Sequence, residues 1–187
     1  MNAFLVSLGM VTLAEMGDKT QLLSLVLSTK YKKPIPIILG ILLATILNHA
    51  FAGAIGAWLM QSIGEKTLAW ILGASFILMG FWTLIPDKLD EADQKSSRFG
   101  VFATTLVAFF FAEMGDKTQV ATIGLVAQLQ SFYPVVLGTI IGMMIANVPI
   151  VLLGDKIAKK IPLKTIHFIS AILFFTLGAL SIFTKAL

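Results

Sequence analysis

Glu15-Met16-Gly17-Asp18-Lys19-Thr20-Gln21 is a charged heptapeptide inside an apolar stretch, and it returns unchanged 98 positions later (15 to 113) as Glu113-Met114-Gly115-Asp116-Lys117-Thr118-Gln119. The same offset, without a gap, pairs Phe4 with Phe102, Pro36 with Pro134, Gly40 with Gly138 and Gly56 with Gly154. It also pairs Lys66-Thr67 with Lys164-Thr165, and Gly80 with Gly178. Register held over nearly the whole chain argues for duplication, with residues 1–86 and 100–187 as the two units and 87–99 as the polar linker between them.

Outward from each motif the sequence is hydrocarbon-like. Of 187 residues, 57% are apolar and 13% charged, against roughly 25% charged in a soluble domain. The mean hydropathy is +0.91. These values exclude a soluble enzyme, a disordered tail and a nucleic-acid binder, although the net charge is +4. The absence of Cys excludes disulfides and thiolate metal sites. A transmembrane helix needs ~20 mostly apolar residues. Six stretches qualify, at about 3–29, 35–61, 67–86, 100–127, 133–155 and 162–184. The first is no signal peptide, since it lacks a basic leading segment and carries a charged motif. The fold expected is therefore an all-α membrane protein of six transmembrane helices. With three spans in each unit, an odd number, the two units enter the membrane from opposite sides as inverted repeats.

Basic residues set the orientation expected. Lys30, Lys32, Lys33, Lys88, Lys95, Arg98, Lys156, Lys159, Lys160 and Lys164 fall in the loops of one side, against Lys66 and Lys185 on the other. Both termini are thus expected outside and 87–99 in the cytoplasm. Trp58, Trp70, Trp82, Tyr31 and Tyr133 lie near span ends, as an interfacial aromatic belt requires.

An ionisable side chain at the centre of a membrane helix costs ~2.5–3.5 kcal/mol on insertion scales. Glu15, Asp18, Lys19, Glu113, Asp116 and Lys117 all lie deep in spans 1 and 4, so they are expected to face one another or water. On a continuous helix, Glu15 and Asp18 share a face and Lys19 neutralises Glu15 at i, i+4. Gly17 and Gly115 supply points where a span breaks and frees backbone carbonyls. Four carboxylates and two ammoniums leave a charge of minus two, which one divalent cation balances. Carboxylate oxygens and the amide oxygens of Gln21 and Gln119 suit Ca²⁺, Mn²⁺ or Mg²⁺ and are poor ligands for Cu or Zn. Simple helix glue would need only one such ion pair.

This doubled E-x-G-D-K-T motif, among six short spans, resembles the GDT family of manganese/calcium–proton antiporters, and the resemblance covers the full chain. It implies export of divalent cations from the cytoplasm in exchange for protons, with Mn²⁺ as the leading substrate and Ca²⁺ the second. It assigns the metal site to Glu15, Asp18, Glu113 and Asp116, with Thr20, Gln21, Thr118 and Gln119 completing the neighbourhood and Gly17, Lys19, Gly115 and Lys117 supporting it. The chain is shorter than eukaryotic members, whose N-terminal extension it lacks, so a bacterial inner membrane is expected. The metal is substrate, and no cofactor is expected. The competing reading is an exporter of small organic solutes such as basic amino acids. Catalysis is not expected, since no nucleophile–base set or phosphate loop is present. The sequence does not specify a homo-oligomer, though it is compatible with one.

Other residues carry weaker signals. Met16 and Met114 offer soft thioethers but more often pack. His49 corresponds to Asn147 by the repeat offset, and either lines the path, relays protons or bonds helix to helix. Gly40-x-x-x-Ala44 and Gly138-x-x-x-Gly142 read as close-packing seams. Glu65 and Asp155 read as solvated charges at span ends.

Overall fold

The computed structural model describes residues 2–85, 100–154 and 162–185. The linker 87–99 and Asp155 lie outside them. Among the described residues there are eight helices and no strands: α1 (Ala3–Glu15), α2 (Lys19–Tyr31), α3 (Pro34–Ser62), α4 (Glu65–Thr83), α5 (Gly100–Glu113), α6 (Lys117–Leu129), α7 (Phe132–Leu153) and α8 (Leu163–Lys185). Helices α3, α4, α7 and α8 are long and apolar enough to cross a membrane.

The stretches 3–29 and 100–127 are each broken at the motif, at the glycines that the sequence marks as break points. Gly17 (φ +84°) and Gly115 (φ +73°) adopt left-handed conformations open chiefly to glycine. Asp18 and Asp116 follow in extended conformation and start α2 and α6. Each half-helix α1, α2 and α6 has 13 residues, about 20 Å at 1.5 Å per residue, short of the ~30 Å hydrocarbon core. The local backbone repeats with the sequence elsewhere too. Lys32 and Gln130, 98 apart, both close their helices in the left-handed region, at φ 51° and 49°.

The helices pack mainly across the two halves. Helix α1 lies on α7 and α5 on α3, α2 on α7 and α6 on α3, while α4 packs against α8. The small-residue seams account for the close approaches. A Cβ on Gly40 would stand 2.9 Å from the Phe102 carbonyl, and one on Gly138 would stand 2.6 Å from that of Phe4. Added side chains there would force the helices apart, because no backbone atom can yield as a flexible side chain does. Two apolar cores result. One joins Met10, Phe76, Leu125, Val135 and Phe174; the other joins Leu23, Ile37, Ile41, Phe109 and Val151. Large apolar groups such as Phe51, Trp58, Leu78, Phe111, Phe168 and Phe183 point outward, an arrangement that suits hydrocarbon and not water. Trp58, Trp70, Trp82 and Tyr133 are among the exposed aromatics.

Candidate metal centre

The two breaks meet. Lys117, at the start of α6, forms an ion pair with Asp18 of the first motif. Lys19, at the start of α2, lies 3.6 Å from Asp116 of the second. The lysines therefore pair across the halves, and the expected Glu15–Lys19 neutralisation within one helix does not occur. The reason is geometric: i, i+4 proximity needs an unbroken helix, and Gly17 turns the chain between the two residues. Glu15, Asp18, Glu113, Asp116 and Lys117 are all essentially inaccessible, at 0–2% exposure.

With each aspartate matched to a lysine, the uncompensated charge falls on Glu15 and Glu113. These two and Asp116 converge, each presenting a carboxylate oxygen within 4.8 Å of the others. Glu15 Oε2, Glu113 Oε1 and Asp116 Oδ2 are buried with no hydrogen-bond partner among the described residues. Buried acceptors left without partners are costly, and a cation is the group that satisfies several carboxylates at once. Asp18 stands apart from this trio, held instead by Lys117.

The surrounding helices fix each carboxylate. Asn147 of α7 donates from Nδ2 to Glu15 Oε1 at 3.3 Å, while its Oδ1 accepts from Ser24 Oγ at 2.8 Å. Thr118 Oγ1 donates to Glu113 Oε2 at 3.1 Å. Asp18 and Asp116 sit at the N-termini of α2 and α6, where the helix dipole favours negative charge. Gln21 and Gln119 brace the breaks: their Oε1 atoms accept from the N–H of Gly17 (2.9 Å) and of Gly115 (2.7 Å). Gln21 Nε2 also donates to the Ala146 carbonyl at 3.0 Å. The amide oxygens that looked like ligands thus have a structural task, with one lone pair each left over. Thr20 is buried beside the first break and its hydroxyl lacks a partner among the described residues.

The breaks are unequally covered. The start of α8 lies over the first: His167 Nε2 is 3.0 Å from the Met16 carbonyl, and Leu163 would stand 2.7 Å from a Cβ on Gly17. Met114 is 54% exposed at the second break, and a Cβ on Gly115 would meet nothing within 4 Å. His167 was not singled out by sequence, since nothing local links it to Met16, 151 residues away. His49 points at the cluster from α3, with Nε2 4.0 Å from Glu113 Oε2. The repeat offset was the signal for that, because Asn147 meets Glu15 as His49 meets Glu113.

Comparison with known proteins identifies the family. The family described as Divalent cation/proton antiporter GDT1 matches residues 3–91 and 101–186. The chain is 47% identical to a Vibrio cholerae protein named "Putative manganese exporter", over 98% of this chain and 92% of that one. It is 27% identical to a GDT1-like protein of Synechocystis, over 99% and 98% of the two chains. It is 25% identical to GDT1-like protein 5 of Arabidopsis thaliana, over 98% and 96%. No solved structure matches it. The chain is a multi-pass membrane protein of a cation-transporter family: it belongs to the GDT1 family, described as divalent cation/proton antiporters.

Proposed function

We propose that this protein exports divalent cations, Mn²⁺ foremost and Ca²⁺ second, across a bacterial inner membrane in exchange for protons. The observation that carries the reading is the buried trio of Glu15, Glu113 and Asp116, whose oxygens lie within 4.8 Å of one another at the meeting of two helix breaks. Two cross-paired lysines leave two negative charges over, which one divalent ion neutralises. Oxygen donors suit Mn²⁺ and Ca²⁺, and the name of the Vibrio relative supports Mn²⁺. Gln21 and Gln119, each with a remaining lone pair, and Asp18 border the ion. A basic amino acid would need room between the carboxylates that so close a cluster does not leave.

In this reading α1–α2 and α5–α6 are two interrupted spans that join α3, α4, α7 and α8 to make six, arranged as inverted repeats of 1–86 and 100–187. Both termini are outside and 87–99 is cytoplasmic, from the basic bias of the loops. A reporter active only in the periplasm, fused after Leu187, is expected to be active; activity confined to a cytoplasmic reporter would overturn this topology.

Coupling follows from charge. When the ion leaves, carboxylates this close in a water-poor site resist being ionised together. About two protons, shared across the set, restore neutrality. Exchange of the ion for those protons moves little net charge. In proteoliposomes loaded with a pH dye, external Mn²⁺ without an imposed voltage is expected to enter while the lumen becomes more alkaline. Flux that leaves the pH unchanged yet follows voltage would mean a channel or uniporter.

A further inference from the structure

His49 is fully buried in α3. Its Nδ1 lies 3.0 Å from Thr122 Oγ1. The single O–H of Thr122 is already committed to the Thr118 carbonyl at 2.8 Å. With that O–H directed at Thr118, the hydroxyl oxygen can accept from His49 Nδ1–H, and we assign the ring the tautomer that leaves the lone pair on Nε2. That Nε2 is buried, has no hydrogen-bond partner among the described residues and stands 4.0 Å from Glu113 Oε2. Two acceptors facing each other at this range are unfavourable unless a cation or a proton lies between them. Metal–ligand distances of roughly 2.0–2.6 Å allow both atoms to reach one ion. The fixing of one ring nitrogen by an outer hydrogen bond, so that the other is presented to a metal, is the common arrangement at histidine-ligated sites.

The repeat sharpens the point. Asn147 occupies the equivalent position, but its Nδ2 donates to Glu15 Oε1 (3.3 Å) and to the Met143 carbonyl (3.2 Å), and its oxygen accepts from Ser24. One half of the site thus offers an amide donor to its glutamate, while the other presents an aromatic nitrogen lone pair beside it. A nitrogen donor leaves the charge balance untouched and changes only the chemistry of the ligand set.

We infer that His49 Nε2 is a ligand to the transported ion, beside Glu113, and that it lets the site favour Mn²⁺ over Ca²⁺ and Mg²⁺. The inference rests on the transport reading above. Ca²⁺ and Mg²⁺ bind oxygen, whereas first-row transition ions accept imidazole. His49→Asn keeps an N–H for Thr122, removes Nε2 and copies the residue found at position 147.

The test uses the purified full-length protein with Mn²⁺ and electron spin-echo modulation to detect nitrogen bonded to the ion. The chain has two histidines, so the source is assignable. Nitrogen coupling is expected in the wild type, retained in His167→Gln and lost in His49→Asn. Ca²⁺ is expected to displace Mn²⁺ from His49→Asn at a Ca²⁺/Mn²⁺ ratio at least tenfold lower than from the wild type. Bound Mn²⁺ without nitrogen coupling in the wild type, as would follow if the ring were protonated and ion-paired with Glu113, overturns the assignment alone and needs no variant to fold. Absence of bound Mn²⁺ in the wild type overturns the transport reading, and the assignment with it. Coupling that survives in His49→Asn, or an unchanged displacement ratio, also overturns it.

Discussion

Glu15→Gln, Glu113→Gln and Asp116→Asn each abolish Mn²⁺ transport, with apparent metal affinity down by more than about 100-fold, beyond the ~10–100-fold typical of losing an outer partner. Each substitution keeps the side-chain volume and removes one of the three converging oxygens' charges. The stability expected is the unusual part. Glu15 and Glu113 are the two carboxylates without a lysine ion pair, so an amide at either position removes a buried acid that the empty site must otherwise neutralise with a proton. Without metal these two variants should therefore melt at or above the wild-type temperature in detergent. Added Mn²⁺ stabilises the wild type, by about 2.7 kcal/mol at a hundredfold excess over Kd, and leaves the variants unmoved. Glu65→Gln, at the exposed start of α4, should behave as wild type in both assays. Transport by any of the three variants at the wild-type rate would remove the trio from the pathway.

Lys117→Met has the largest effect on folding. Lys117 and Asp18 are both buried, with side chains at 1% and 0% exposure. Removing one partner of a buried pair costs ~3–5 kcal/mol, because the other charge stays behind. Lys19→Met should cost much less, since the Lys19 side chain is 23% exposed and keeps part of its hydration. The double variant Asp18→Asn/Lys117→Met should recover most of the lost stability, because both charges go together, yet fail to transport. Unfolding in detergent, followed for the single and double variants, reads all three outcomes. Equal losses for Lys19→Met and Lys117→Met would show that the two pairings are equivalent.

The repeated motif made the position of this site legible. An offset that holds through Pro36/Pro134 and Gly40/Gly138 identifies the paired seams, and Gly17 and Gly115 mark the breaks. The partners of the charges were not legible. Sequence spacing assigns Lys19 to Glu15 only along a continuous helix, and a single residue in the left-handed region cancels that geometry. The bracing task of Gln21 and Gln119 was hidden for a related reason. Their oxygens are needed by glycine N–H groups that exist as unpaired donors only once the helix has broken. The cover that His167 places on the Met16 carbonyl joins residues from opposite ends of the chain, and no local pattern encodes it.

The crossing of the lysine–aspartate pairs bears on how the chain is made. Synthesis delivers Asp18 and Lys19 before Asp116 and Lys117 exist, so the early product holds charges whose native partners have yet to be translated. Helices α1 and α2 also await their main packing surface on α7. The amino-terminal unit therefore reaches its final electrostatic and packing state only after the ribosome has passed residue 153. The unit of folding is therefore larger than either half of the chain.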